Sequence, residues 1–102
     1  MGSQEVAFIK NVINNRNLKG DINQLRKVGE CYKKLQQLKA DYAEIGYHID
    51  FSGIDKLIDK EFDAWVSAAE MNPLDEVKIS CYESAIALRP DSKIQKKLKL
   101  LL

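Results

Sequence analysis

His48 is the only histidine of the chain, and Asp50 follows two positions later, so this pair is the one arrangement that suggests acid–base chemistry. A carboxylate that holds an imidazole in place can make it a general base. No motif ties a serine or cysteine nucleophile to the pair, and two residues on an extended connection need not face each other. We therefore expect His48 to be a structural or exposed histidine, and we expect the protein not to be an enzyme.

Cys31 and Cys81 are the other residues that could bind a metal or form a covalent bond. They are fifty positions apart, and neither has a second cysteine or a histidine at metal-ligand spacing. Because both fall in apolar helical patterns, we expect two buried free thiols in a reducing, cytoplasmic compartment, with a disulfide between them as the alternative. The sequence has no glycine-rich phosphate loop and no calcium loop, so we predict no metal and no cofactor.

The segment 92–102 combines a basic and an apolar helix face. Lys93, Lys96 and Lys97 share one face at helical spacing, whereas Ile94 lies on the opposite, apolar face. The lysines either contact an acidic protein or phosphate groups, or they form a solvated helix face. The residues predicted to bind a partner are Lys93, Lys96, Lys97, Leu98 and Leu101.

The chain ends in Leu100, Leu101 and Leu102. A run of leucines exposes apolar surface unless something covers it. Three arrangements would cover these side chains. The last helix docks on the core of its own domain, the chain continues in a longer protein, or a second copy of the chain packs against it.

The composition of the chain limits its class. Its 102 residues are 45% hydrophobic and 30% charged, which is typical of a compact soluble protein. A chain of this length predicts one domain over residues 1–102. The 16 basic and 15 acidic residues give a net charge of +1, which provides no general attraction to nucleic acid or membranes. Since there is no membrane-length apolar run and no secretory signal, we expect an intracellular protein without membrane contact.

Apolar residues recur every three or four positions, and no segment alternates with the period of two that is typical of a strand. The pattern therefore predicts an all-α protein of four to five helices. The predicted helices cover residues 4–14, 22–45, 53–71, 73–89 and 93–102. The residues predicted to cap or end them are Ser3, Asp21 with Gln24, Gly46, Ser52 with Asp55, Asn72 with Pro73, and Ser92.

Trp65 lies in the segment with the strongest periodicity, so we expect it at the centre of the core. Its truncation to alanine should then cost about 3–5 kcal/mol. The apolar face predicted for the second helix consists of Ile22, Leu25, Val28, Tyr32, Leu35, Leu38, Tyr42 and Ile45. The opposite face of the third helix is acidic and contains Asp55, Asp59, Glu61 and Asp63.

Residues 62–90 have the spacing of a known helical repeat. The positions that carry it are Phe62, Trp65, Val66 and Ala69, followed by Tyr82, Ala85 and Pro90. This segment resembles a tetratricopeptide repeat, a helix–turn–helix unit of about 34 residues. Leu25, Val28, Gly29 and Tyr32 resemble the first half of a second such unit, including its glycine. The resemblance implies stacked helical hairpins with a concave groove that holds a peptide or helix, and hence protein binding.

These observations predict antiparallel helical hairpins in a bundle or a short tetratricopeptide-like stack. The function predicted is that of a non-catalytic protein–protein interaction module, an adaptor or regulatory subunit. Its site is either the groove between the second and third helices or the surface beside residues 98–102. One alternative is a nucleic-acid-binding accessory protein that uses the C-terminal lysines. Another is a self-associating structural protein, in which the acidic face of the third helix meets those lysines.

Overall fold

The computed structural model describes residues 2–102, and those residues form five α-helices and no strand. The helices are α1 (Ser3–Ile13), α2 (Ile22–Glu44), α3 (Ser52–Met71), α4 (Asp75–Leu88) and α5 (Ser92–Leu101). The predicted all-α class is therefore confirmed. None of the helices in residues 2–102 is both long enough and apolar enough to cross a membrane.

Four of the helices form a ring. α3 and α4 are joined by only three residues and pack as an antiparallel hairpin, and α1 packs against α2 in the same way. α2 also packs against α4, and α1 packs against α3, so that α2 and α3 lie on one diagonal of the ring. The remaining helix, α5, packs against α4 on the outside of the ring. The result is an elongated bundle with extents of 48 × 28 × 18 Å.

One continuous cluster of apolar side chains fills the ring. Leu25 and Leu35 of α2, Ile58 of α3 and Leu88 of α4 are fully buried at its centre. Trp65 is only half-buried and packs against the side of this cluster, so its predicted place at the centre is wrong. Its indole Nε1–H is buried and has no acceptor among the described residues.

α2 is longer than the helices that cover it. It has 23 residues, whereas α1 has 11 and α4 has 14, so its last turns extend beyond both. Ile45, predicted to face inward, is 69% exposed for this reason. Tyr42 is half-buried and packs edge-on against Tyr47, with 6.3 Å between the ring centroids.

Both ends of α2 are capped where the sequence predicts. Asp21 Oδ1 accepts a 2.9 Å hydrogen bond from the backbone N–H of Asn23. Gly46 has φ +86°, and the following N–H, that of Tyr47, donates to the carbonyl of Tyr42. The reciprocal role predicted for Gln24 is wrong, because the backbone N–H of Asp21 donates instead to the carbonyl of Leu18.

The other helix starts differ from the prediction by one or two residues. Ser3, Ser52 and Ser92 are the first residues of their helices and not the caps. Asp91 caps α5 by accepting a 3.0 Å hydrogen bond from the N–H of Ile94. Asp50 accepts a 2.8 Å hydrogen bond from the N–H of Ser52 at the start of α3. In both places an aspartate precedes the serine and already supplies the oxygen that the free N–H groups need.

The start of α4 is the largest difference. Asn72 and Pro73 were predicted as cap and first residue, but α4 begins at Asp75 with Leu74 at the N-cap position. Asn72 Oδ1 accepts a 3.0 Å hydrogen bond from the N–H of Leu74, which closes a turn around the proline. Across this turn, Lys78 Nζ donates to the carbonyl of Ala69 at 3.0 Å and ties the two helices of the hairpin together.

Candidate partner-binding surface

His48 and Asp50 are not hydrogen-bonded to each other. His48 is exposed and makes no hydrogen bond or ion pair with any residue of the described part of the chain. The Asp50 carboxylate points instead at the start of α3, where the hydrogen bond from Ser52 N–H lowers the pKa of its side chain. The two side chains have separate environments, and Asp50 serves as a local cap.

The two cysteines are free. Cys81 is buried, as predicted, whereas Cys31 is only half-buried. Burial and, second to it, the nearby Glu5 carboxylate raise the pKa of the Cys31 thiol, which disfavours the reactive thiolate. Within residues 2–102, no three histidine, cysteine or acidic side chains are grouped closely enough to hold a metal ion.

The C-terminal helix α5 places its two faces as predicted. Ile94 is buried, and Leu98 and Leu101 are half-buried against the core. α5 therefore docks on its own domain, although Leu100 and Leu102 stay 87% and 82% exposed.

On the basic face of α5, the side chains of Lys93, Lys96 and Lys97 are all exposed. Lys97 Nζ lies 3.1 Å from Glu70 Oε1 on α3, and this hydrogen bond raises the pKa of Lys97. One of the three predicted lysines is thus paired within the protein, while Lys93 and Lys96 form no ion pair within residues 2–102.

A concave surface lies along α4, and one part of it adjoins the predicted surface beside residues 98–102. We call it the α4 groove, and it consists of two depressions that meet at the side chain of Ile86. The first has a volume of about 470 Å³ and lies between α2 and the C-terminal end of α4. The second has a volume of about 530 Å³ and lies between α4 and α5, where Leu98 and Leu102 form its apolar wall. α4 thus forms the floor of the groove, and α2 and α5 form its walls.

Gly29 allows α2 and α4 to approach closely at the first depression. A Cβ atom at this position would overlap the backbone carbonyl oxygen of Ala87, in the last turn of α4. This carbonyl belongs to the helix end, where no further turn follows to donate a hydrogen bond to it. The glycine that the sequence resemblance singled out therefore brings the two helix backbones together and shapes one wall of the groove.

Arg89 holds the end of α4 in place. Its guanidinium lies 3.8 Å from the centre of the Phe62 ring, and its Nε donates to Asp59 Oδ1 at 3.1 Å on α3. A second nitrogen, Nη1, is 3.6 Å from Asp91 Oδ2 at the start of α5. Arg89 thus connects the end of α4 to α3 and to the start of α5.

The rim of the α4 groove is mainly basic. Arg26 and Lys33 of α2 line one side, and Lys96 and Lys99 of α5 line the other. None of these four side chains forms an ion pair with a residue of the segment 2–102. Glu30 is the acidic residue on this rim. The groove therefore combines an apolar floor with an excess of positive charge at its edges.

The groove expected between the second and third helices does not match how these helices pack. α2 and α3 are diagonal neighbours in the ring, and the part-buried Tyr32–Asp55 hydrogen bond joins them at the edge of the core. The place of Ile86 and Lys33 in the α4 groove depends on which helices flank α4, and the helical period of the sequence carries no signal for that.

The fold and this surface define an all-α helical bundle with a basic-rimmed groove. The chain matches no protein-family model, and it shows no significant similarity to a curated protein or to a solved structure.

Proposed function

We propose that this protein is a non-catalytic protein–protein interaction module, an adaptor or regulatory subunit that acts in a reducing, cytoplasmic compartment. The observation that carries the proposal is the α4 groove, whose half-buried Ile86 floor is accessible between two flanking helices. Concave apolar surfaces rimmed by polar groups are typical of sites that bind another molecule.

The resemblance of residues 62–90 to a tetratricopeptide repeat supports the same proposal. These residues cover part of the α3–α4 hairpin, and α2, which carries the second resembling fragment, packs directly on α4. Stacked helical hairpins of this kind present extended concave binding surfaces. The free thiols are compatible with the proposed reducing compartment.

Affinity capture from an extract of the native cells tests this function. We expect the immobilised chain to retain a defined polypeptide at a fixed stoichiometry, and we expect this binding to survive nuclease treatment. Loss of all binding after nuclease treatment would contradict the proposal and favour the nucleic-acid alternative.

A lysine variant further separates the proposed protein-binding function from the nucleic-acid-binding alternative. Substitution of Lys93, Lys96 and Lys97 by alanine should abolish nucleic-acid binding, which also weakens steeply with added salt. The matched control replaces Lys39, Lys56 and Lys60, three exposed lysines away from α5.

Sedimentation velocity at several protein concentrations tests the alternative that the protein is a self-associating structural protein. An increase in mass with concentration, together with no captured polypeptide, would show a self-associating protein instead.

A further inference from the structure

The α4 groove has a chemistry that selects the class of its partner. We propose that it binds an acidic amphipathic helix of another protein, with apolar side chains on the floor at Ile86 and carboxylates opposite the basic rim. This inference rests on the proposed function and adds the binding site and the nature of the bound segment.

The floor of the groove requires apolar side chains from its occupant. Ile86 lines both depressions, Ala87 is half-buried beside it, and Leu98 and Leu102 continue the apolar surface on α5. An amphipathic helix presents apolar residues at positions i, i+3, i+4 and i+7, and such a stripe fits an elongated groove between two helices.

The rim determines the charge of the occupant. Arg26, Lys33, Lys96 and Lys99 lie on the two walls, against the single carboxylate of Glu30. A partner with aspartates and glutamates on both sides of its apolar stripe would therefore meet complementary charge along both edges. Such exposed charges favour the correct partner and speed association more than they strengthen the final complex.

A nucleic acid fits this surface less well than an acidic helix. Binding of single strands relies on aromatic side chains on which the bases stack. Tyr32 is the aromatic residue that lines the groove, and its ring is buried with its hydroxyl hydrogen-bonded to Asp55. An apolar floor without stacking surfaces favours a peptide with apolar anchors.

Selection from a display library of random peptides about 16 residues long, which span about 24 Å as a helix, tests the proposal. We expect the full chain to enrich peptides with net negative charge and apolar residues at helical spacing. One enriched peptide is then labelled with fluorescein, and its dissociation constant is measured by anisotropy with each variant of the protein. A peptide of the same pattern with lysine in place of every acidic residue is the charge control.

Two variants locate the binding site. Ile86→Asp places a carboxylate on the floor, and Lys33→Glu with Lys99→Glu reverses one charge on each wall. Each should weaken binding of the acidic peptide by about tenfold or more. The double variant Lys56→Glu with Lys60→Glu makes the same change of charge on the exposed face of α3, and it should change the affinity by less than about twofold. Because the rim lysines are exposed, the rim variant tests the site even if Ile86→Asp does not fold.

The possible results separate this inference from the proposed function. Enrichment of no peptides, or of neutral or basic ones, would overturn the inference, and so would acidic peptides whose affinity is unchanged in the Ile86 and rim variants. The proposed function would survive each of these results if the native extract still supplied a nuclease-resistant polypeptide. If the rim variant instead abolished self-association seen by sedimentation, the acidic face of a second copy would be the occupant, and the inference would be wrong.

Discussion

The hydroxyl of Tyr32 on α2 donates a hydrogen bond of 2.6 Å to Asp55 Oδ1 on α3, across the diagonal of the helical ring. Tyr32 is 6% exposed, so this bond lies at the edge of the core. Burial, followed by the hydrogen bond to Asp55 and the negative charge of that carboxylate, raises the pKa of Tyr32 to about 12. The pair joins two helices that otherwise pack mainly against α1 and α4.

This raised pKa predicts a loss of stability at high pH. A tyrosine in the unfolded chain ionises near pH 10, so the unfolded state releases its proton first. The contribution of Tyr32 is complete below about pH 10 and is lost as the pH rises to about 12, by about 2–3 kcal/mol in total. Urea denaturation of the native protein and of Tyr32→Phe across this range measures the difference. If the free energy of unfolding changed equally with pH in the native protein and in Tyr32→Phe, the prediction would be contradicted.

The same variant also measures the bond at neutral pH. Tyr32→Phe removes a hydrogen bond to a charged group, so it should lower the free energy of unfolding by about 1.5–3 kcal/mol. Tyr47→Phe is the control, because Tyr47 is exposed and its hydroxyl has no hydrogen-bond partner within residues 2–102. That control should stay within about 0.5 kcal/mol of the native protein.

Gly29→Ala should destabilise the protein by about 1–3 kcal/mol, because the added methyl group overlaps the Ala87 carbonyl and forces α2 and α4 apart. Gly53→Ala is the matched control, since Gly53 is also helical and a Cβ there meets no atom of the described residues within 4 Å. It should be neutral or stabilising by up to about 1 kcal/mol. Thermal unfolding compares the two variants. Equal stability of both would contradict the close contact between Gly29 and the Ala87 carbonyl.

The caps of α5 give a second pair of matched variants. Asp91→Ala should cost about 0.5–2 kcal/mol, because it removes the acceptor for the N–H of Ile94. Ser92→Ala should have little effect, since Ser92 is an exposed first helical residue. Chemical denaturation distinguishes the two positions. A larger loss of stability for Ser92→Ala than for Asp91→Ala would show that Ser92 is the cap, as the sequence predicts.

Arg89→Ala should lower stability by about 1–2 kcal/mol through loss of the contact with Phe62 and of the ion pair with Asp59. Arg89→Lys should recover only part of the lost stability. The compact ammonium group of lysine lacks the planar guanidinium that stacks on the Phe62 ring while it donates a hydrogen bond to Asp59. Arg16→Ala changes an exposed arginine of the α1–α2 connection and serves as the control. Full recovery by lysine, measured by urea denaturation, would show that the charge alone matters.

Residues whose role is local were predicted well. The apolar periodicity located all five helices, and Asp21 and Gly46 were correctly placed at the ends of α2. The errors at Ser52, Asn72 and Ser92 are also local. At Ser52 and Ser92 a nearby aspartate supplies the acceptor for a free N–H group, whereas the Asn72 side chain closes a turn before its helix begins. The sequence does not rank these choices. Trp65 was misplaced because size and periodicity indicate an inward face but not its depth.

By itself, the sequence determined that this chain forms helices and where they lie, because the spacing of apolar residues depends only on the period of the helix and the helix ends depend on local capping groups. Only the tertiary structure decided that α2 and α5 flank α4, that Gly29 meets Ala87, and that Ile86 stays accessible between basic side chains. These relationships join residues distant in the chain, and they follow from how the helices fill space together, which no single helix encodes.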